Sequence, residues 1–526
     1  MRHESWTNGS SVSIRISGPD PRSTKQTSRP FYLPMNLDTG LEDGSLCYSV
    51  SGFLLSPGVV VTTATAVTPF INHEKVNRLD SVIMEARDRD GVWERMRCVN
   101  IIEIPEIRRS LNTLLGGLSE FERSWRLAWL VPRGDTPINQ RTQSMWSSIA
   151  VLSFDRKFIS DDPTPMNVGR VNVRDDIYIV GSPFGVYNDS LNHSVVGGII
   201  SNQIECDGAT GLILSDSKCF PGMEGAPVYR SDSIIGMLLP PIMRRDRYPV
   251  KFTFIAPIQP ILCSLGSVVQ NISKEVDKGR FQMEDNLVAL QYDSSWASGF
   301  KDKKVDEKNV RIRVRTNQVK ERQFEAKLIW TSTTELDIAI LRYDSNLFPV
   351  SKSSISSELH QGQPIYVLGY PIFEPGNIPP TWSSGIIQKI TTYRGQPIII
   401  QTSAAVHRGN SGGMLMNRDG QVLGIVTSNT TLNLPTDFEA PEGMSEEPAW
   451  EEIKRRKALV LARLNFSIPC QELSVLFSGE FEKIAEGDDE SVQKWIGERL
   501  GKKDEQKAKL WEWRDVDEER PIQSKL

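Results

Sequence analysis

The chain has 526 residues, which is enough for two to four domains. Hydrophobic residues make up 39 % of it and charged residues 24 %, so the chain can build cores and is not disordered overall. The net charge is −5, from 61 basic and 66 acidic residues, which argues against a nucleic-acid-binding surface.

The cysteine spacing and the lack of long apolar runs indicate the compartment in which the chain is expected. No apolar run of about 18 residues occurs, so we predict no membrane span. The N-terminus is polar and lacks the apolar core of a secretory signal. Six cysteines are scattered without paired spacing, which predicts a reducing compartment and no disulfide framework. No metal-binding motif occurs, so we predict neither a metal site nor a cofactor.

The predicted elements follow in chain order. Residues 1–44 are rich in Ser, Pro and Gly without a clear period, and we expect an N-terminal extension. Short β-branched and apolar runs bounded by turns then fill residues 45–265. A polar connector follows at 266–285, and strands resume over 286–478. Regular short strands with turn signals predict β-barrels or sandwiches.

Two later segments depart from this strand pattern. Residues 435–462 carry Glu, Lys and Arg at helical spacing, and we expect an inserted, partly helical loop near the substrate side of the second unit. Residues 479–526 are highly charged with few apolar residues. This composition predicts an exposed helix that leads into a free C-terminus.

Ser411 lies in the segment Gly-Asn-Ser-Gly-Gly, residues 409–413, between two apolar runs. This pattern is typical of the nucleophile loop of trypsin-like serine proteases. The glycines allow a sharp turn that directs the N–H groups of Gly409 and Ser411 at one point, where negative charge develops on an attacked carbonyl. A Gly/Ser/Asn hairpin between two strands is the alternative interpretation.

The two strand-rich halves repeat each other, which favours the first interpretation. The clearest matching peptides are 177–183 and 365–371. Ser411 stands 26 residues after Gly385, and Glu224 stands 26 residues after the matching Gly198. The first half therefore carries a nucleophile-type loop with glutamate in the place of serine, and we predict two protease-like domains in tandem.

Acyl transfer by serine needs a base and an acid that orients the base. Asp337, which begins Asp-Ile-Ala-Ile-Leu, fits the acid, although a turn or capping aspartate is the alternative. The corresponding positions of the first half hold Thr65, Arg126 and Glu224. None of these can supply the chemistry, and Glu224 is expected to repel an oxyanion, so we predict no hydrolytic role for that half.

The general base has no evident candidate in the second half. The landmarks Gly52 and Arg126 are 74 residues apart in the first half. Their counterparts Gly299 and Asp337 are only 38 residues apart, so the segment expected to carry the histidine is missing. The chain contains five histidines, none at the expected position: His3, His73, His193, His360 and His407.

Three further strings, at 401–407, 424–430 and 464–469, resemble the trypsin-like processing proteases of peroxisomes, whose plant members are Deg-type glyoxysomal proteases. The resemblance implies an all-β fold of tandem trypsin-like double β-barrel units, the first degenerate, with a short helical C-terminal tail. It implies Asp337 as the acid and Ser411 as the nucleophile. It also implies a substrate pocket lined by four residues: His407, Thr427, Ser428 and Asn429.

The same resemblance implies an endopeptidase of the peroxisomal matrix that trims leader peptides of imported enzymes, many of them in β-oxidation. It also implies self-cleavage and self-association. The chain ends Ser524-Lys525-Leu526, which matches the peroxisomal import signal, so we expect the import receptor as a partner.

Two hypotheses follow from these observations. In the first, the chain is a serine endopeptidase whose sequence lacks one segment. In the second, it is a catalytically inactive, protease-shaped protein that binds peptides or partner subunits. A longer form with an apolar strand and a histidine between residues 300 and 310 would favour the first hypothesis.

Overall fold

The computed structural model describes these residues: 11–19, 31–32, 45–56, 59–67, 70, 82–87, 93–115, 125–127, 130–131, 140–154, 168–185, 191–244, 250, 252–265, 327–332, 338–342, 354–371, 379–393, 395–407, 409–433, 458–485 and 487–501. The chain divides into two compact units. The first unit comprises 1–282 and 373–382, and the second comprises 283–372 and 383–526. None of the helices among the described residues combines the length and the apolar character that a membrane crossing requires.

Most of the described secondary structure of the first unit is β-strand. Its described strands are β1 (Ser11–Pro19), β2 (Phe31–Tyr32), β3 (Ser45–Ser56), β4 (Val59–Thr63), β5 (Ile83–Arg87), β6 (Trp93–Glu103), β7 (Trp125–Leu127), β8 (Leu130–Val131), β9 (Ser148–Phe154), β10 (Asp176–Gly181), β11 (Ser194–Cys206), β12 (Ala209–Ser215), β13 (Pro227–Arg230), β14 (Ser233–Leu238), β15 (Ile242–Arg244) and β16 (Thr253–Pro257). Its described helices are α1 (Pro105–Leu115), α2 (Gln140–Trp146) and α3 (Ile258–Leu265).

Twelve of these sixteen described strands close into two six-stranded barrels, and the other four form two-stranded sheets. The first barrel has the order β1-β3-β4-β9-β6-β5, and the second has the order β10-β11-β12-β16-β14-β13. Alternate side chains of each strand point inward and form one apolar core per barrel. Ile14 and Tyr48 belong to the first core, and Ile177 and Ile255 belong to the second.

The N-terminal strand β1 corrects the expectation of an extension over residues 1–44. β1 pairs with β3 and with β5, so it is a full member of the first barrel. Val12, Ile14 and Ile16 alternate along it and are at most 8 % exposed. The intervening Ser11 and Ser13 are buried as well, and these small polar residues disguise the period of two in the sequence.

The second unit contains one closed barrel and one two-stranded sheet among its described residues. Its strands are β17 (Lys327–Thr331), β18 (Ala339–Arg342), β19 (Pro364–Gly369), β20 (Thr381–Tyr393), β21 (Gln396–Thr402), β22 (Met414–Met416), β23 (Val422–Asn433) and β24 (Ala458–Pro469). Two helices, α4 (Gly479–Ala485) and α5 (Asp489–Ile496), follow them.

The barrel of the second unit repeats the second barrel of the first unit. Its strand order, β19-β20-β21-β24-β23-β22, matches β10-β11-β12-β16-β14-β13 strand for strand. Equivalent side-chain contacts recur as well. Ile199 N–H donates to the Asp216 carboxylate at 2.8 Å, and Ile386 N–H donates to the Ser403 hydroxyl at 3.0 Å. The predicted all-β class with tandem trypsin-like barrels is confirmed.

The C-terminal helices pack onto the hairpin of β17 and β18. Val492, Trp495, Ile496 and Leu500 are buried in one cluster with Ile329 of β17. The expectation of an exposed helix after residue 478 is therefore wrong as far as Gly501. The apolar face of this helical segment is narrow. Charged residues between its apolar positions dominate the composition, and exposure was inferred from that composition.

An ion-pair cluster fixes the start of α5 on the same hairpin. The Asp489 carboxylate accepts from Lys327 and Arg342, one residue from each strand. The hydrogen bond from Lys327, with the charges of both cations, holds the pKa of Asp489 below its ordinary value. Arg342 also donates to the carbonyl oxygen of Ala485, at the end of α4, at 3.1 Å. Each strand of the hairpin is thus tied to the helical segment.

Two predicted segments lie largely outside the described residues. The connector at 266–285 is one of them. The other is the insertion expected at 435–462, of which only 458–462 are described. Those five residues begin β24, and Ala458, Leu459 and Val460 pair with β23, so they are strand and not helix.

Candidate active site

The Ser411 loop, residues 407–413, connects β21 to β22 by two successive turns. Asn410 N–H donates to the carbonyl oxygen of His407 at 3.1 Å. Gly413 N–H then donates to the carbonyl oxygen of Asn410 at 2.8 Å. Ser411 lies within the second turn and is exposed.

Two glycines make this backbone possible. Gly409 has a φ of 95° and Gly412 a φ of 82°, which is the left-handed region that favours glycine. A Cβ on Gly409 would also lie 2.2 Å from the carbonyl oxygen of Tyr370. The loop therefore requires glycine at position 409 for conformation and for space, as the motif predicted.

The loop is attached to the neighbouring strand β23. Gly412 N–H donates to the carbonyl oxygen of Val426 at 2.8 Å, and Val426 N–H donates to that of Gly413 at 2.9 Å. The next residue, Thr427, is the extra residue of a β-bulge in the pairing with β24. Its carbonyl oxygen accepts the hydroxyl of Ser411 at 2.7 Å.

That hydrogen bond bears on whether the Ser411 hydroxyl can lose its proton. A carbonyl oxygen accepts a hydrogen bond, but it is far too weakly basic to remove the proton as a general base does. The N–H groups of Gly409 and Ser411 donate to no protein acceptor within the described part of the chain. The loop thus presents an exposed hydroxyl, and the assignment of these two N–H groups to an oxyanion hole stays a prediction.

His407 is only 1 % exposed, so the protein encloses its imidazole in this structure. Its assignment to a substrate pocket stays a prediction. The carbonyl oxygens just before it are held by buried polar side chains. Ser383 donates to Ala405 at 2.8 Å, and the Asn465 amide donates to Ala404.

The other predicted pocket residues lie on β23. Thr427 is half-buried, and its hydroxyl donates to the carbonyl oxygen of Phe466 at 3.3 Å. Ser428 and Asn429 follow it and pair with Phe466 and Asn465 of β24. The strand therefore runs directly past Ser411, and the assignment of these three residues to a substrate pocket stays a prediction.

Several predicted residues lie outside the described part of the chain. They are Asp337, the signal Ser524, Lys525 and Leu526, and the histidines His3 and His73. The residue after Asp337 is described: Ile338 N–H donates to the Ser332 hydroxyl at 3.0 Å and its carbonyl oxygen accepts from Ser332 N–H at 2.8 Å. His360 is exposed in a turn, and His193 belongs to the first unit.

The first unit has a loop of the same backbone, the Glu224 loop, residues 220–226. Met223 N–H donates to the carbonyl oxygen of Phe220 at 3.1 Å, and Ala226 N–H donates to that of Met223 at 2.9 Å. Gly222 and Gly225 have φ values of 94° and 87°. Each value is close to its counterpart in the Ser411 loop, so Glu224 takes the backbone position of Ser411.

Replacing Gly409 by alanine is expected to destabilise the second unit markedly. The added Cβ meets the carbonyl oxygen of Tyr370 and the backbone is strained, since left-handed geometry alone costs about 1–2 kcal/mol for such a residue. Gly420→Ala is the matched control, because Gly420 has a φ of 77° but open space around it. Urea unfolding should show a clearly larger loss for Gly409→Ala, and equal losses would contradict the close approach.

Comparison with known proteins agrees with this geometry. Residues 288–425 match the family described as a trypsin-like peptidase domain. The peroxisomal leader peptide-processing protease of Homo sapiens is 26 % identical over 293 residues, 49 % of this chain and 50 % of that protein. The mouse protein of the same name is 25 % identical over 290 residues, 48 % of this chain and 50 % of that protein.

A probable periplasmic serine endoprotease, DegP-like, from Marinomonas sp. (strain MWYL1) is 35 % identical over 119 residues, 22 % of this chain and 24 % of that protein. The chain spans about half the length of the first two relatives. Residues 288–425 are therefore similar to a trypsin-like peptidase domain, and the chain is similar to the peroxisomal leader peptide-processing proteases of human and mouse.

Proposed function

We propose that the second unit is the peptidase unit of a peroxisomal serine endopeptidase, with Ser411 as the nucleophile. The Ser411 loop is the observation that carries this proposal, because its two glycines expose one hydroxyl beside two N–H donors. In the proposed reaction the hydroxyl attacks a peptide carbonyl, and the N–H groups of Gly409 and Ser411 hold the resulting oxyanion. Asp337 would orient the base.

The proposed substrates are leader peptides of enzymes imported into the peroxisomal matrix. The names of the human and mouse relatives support this substrate class. Import through the peroxisomal receptor, with Ser524, Lys525 and Leu526 as the signal, belongs to the same proposal. Self-cleavage and self-association belong to the same proposal and rest on the resemblance to the processing proteases.

A second candidate function is favoured by one contact. The Ser411 hydroxyl donates to the carbonyl oxygen of Thr427, and none of the five histidines of the sequence matches the position of the base. A chain in this state would bind a peptide along β23 without cutting it. The second candidate is therefore a protease-shaped peptide-binding protein.

One experiment separates the two functions. The 526-residue chain, and a form with a histidine-bearing strand and turn inserted after Phe300, are each incubated with a peroxisomal precursor that retains its leader. We expect the inserted form to release the leader and Ser411→Ala to abolish release. Mass spectrometry locates the cut. Binding of the precursor without any cleavage, unchanged by Ser411→Ala, would instead support the peptide-binding function.

A further inference from the structure

The side chain of Glu224 in the first unit turns back onto its own loop. Gly222 N–H donates to the Glu224 Oε2 atom at 2.8 Å, and Glu224 is only 2 % exposed. Gly222 is the counterpart of Gly409, whose N–H is one of the two proposed oxyanion donors of the second unit. A buried carboxylate oxygen therefore takes, in the first unit, the donor that an oxyanion takes in a peptidase.

The carbonyl group of Gly222, which belongs to the following peptide unit, is also held. The Ser51 hydroxyl donates to the carbonyl oxygen of Gly222 at 2.8 Å and accepts from Ser182 N–H at 2.9 Å. Ser51 N–H donates to the carbonyl oxygen of Glu224 at 2.9 Å. Because Ser51 belongs to β3, the first barrel of the unit anchors the loop backbone on the C-terminal side of Gly222.

Close packing leaves no room for a substrate between this loop and the first barrel. A Cβ on Gly225 would lie 2.1 Å from the carbonyl oxygen of Ser51 and 2.3 Å from the Thr62 hydroxyl. Thr65, at the position expected of the base, is 1 % exposed, and its hydroxyl bonds to that of Thr63. The strands of the first barrel thus contact the loop directly.

We propose that the Glu224 loop is a carboxylate-binding site whose resident ligand is the Glu224 side chain of the same chain. The contact holds the Gly222 peptide in the geometry of an oxyanion-binding loop and closes it to an outside carboxylate or carbonyl. Cutting the side chain back to Cβ turns the loop into a site for a small free carboxylate. This inference concerns the first unit and stands whether or not the second unit is a peptidase.

Glu224→Ala in the full chain tests the proposal, with acetate as the probe. Acetate has the four heavy atoms that this substitution removes. Hydrogen exchange resolved to single residues measures the protection of Gly222 N–H, and the amides of β10 and β11 report whether the unit stays folded. We expect exchange at Gly222 to accelerate roughly 10- to 100-fold, since charged hydrogen bonds contribute in that range.

Sodium acetate is expected to restore the protection of Gly222 in Glu224→Ala, and sodium chloride at equal ionic strength is not. Unchanged protection in the alanine variant, or no response to acetate while β10 and β11 stay protected, would overturn the proposal. Glu224→Gln is the second variant, because its amide oxygen still accepts from Gly222 N–H. We expect this variant to protect Gly222 N–H from exchange nearly as the native chain does. Loss of that protection while β10 and β11 stay protected would also contradict the proposal.

Discussion

A fluorophosphonate probe is expected to label Ser411 of the 526-residue chain very slowly. The hydroxyl donates to the carbonyl oxygen of Thr427, which cannot take up its proton. Loss of a triad member typically lowers turnover about 10⁶-fold, because the triad acts as a unit. The labelling rate, followed by mass spectrometry of the peptide that contains Ser411, measures this effect.

The histidine-bearing form with its insertion after Phe300 is the positive control for that experiment. It is expected to be labelled faster by several orders of magnitude, because an imidazole then accepts the proton of the serine. Ser411→Ala sets the background. Rapid labelling of the unmodified chain that disappears in His407→Ala would show that the enclosed His407 acts as the base after all.

Truncation of the chain after Ser478 is expected to unfold the hairpin of β17 and β18 and to destabilise the second unit. The cut removes Val492, Trp495, Ile496 and Leu500 from the core on which Ile329 packs. Each such side chain contributes about 2 kcal/mol when buried, so the loss approaches the total stability of an ordinary domain. The cut also removes Asp489, the partner of Lys327 and Arg342.

Truncation after Gly501 is the matched control, since it spares the packed helices and removes only residues 502–526. Urea unfolding of the two truncated chains, with hydrogen exchange of β17 as the local measure, distinguishes them. We expect truncation after Gly501 to leave hydrogen exchange in β17 unchanged. Equal protection of β17 in both chains would show that α4 and α5 do not hold the hairpin.

The barrels of both units and the place of the Ser411 loop could be predicted because glycine leaves a clear signal. Spacing from Gly198 and Gly385 placed Glu224 and Ser411 at equivalent positions. The structure gives both loops the same turns and the same left-handed glycines. A backbone requirement of this kind depends on one residue type at a fixed distance, so sequence alone reveals it.

Burial was harder to predict than strand order. β1 carries a period of two, but its buried serines hide the pattern. The last helix carries Val492, Trp495 and Ile496 at spacings of three and four, which is a helical core pattern within a charged segment. In both cases the signal was present in the sequence, and the surrounding polar composition outweighed it.

The contacts of two functional side chains could not be predicted. Glu224 was expected to repel an oxyanion, whereas its carboxylate itself accepts from Gly222 N–H. The hydrogen bond between Gly222 and Glu224 depends on the conformation of the Glu224 side chain in the turn. The spacing of sequence motifs carries no information on that conformation. The near-complete burial of His407 was likewise not evident from the sequence, and its assignment to a substrate pocket stays a prediction.

The long pairing of β23 with β24 has a consequence for a chain that is cut. β24 lies between β21 and β23 in the closed barrel, although it follows them after residues 434–457. A break of the backbone between Asn433 and Ala458 would leave two fragments that complete one barrel together. The C-terminal fragment supplies a strand and the helices α4 and α5, and the other supplies the remaining strands. Such a cut converts the chain into a non-covalent heterodimer without releasing either piece.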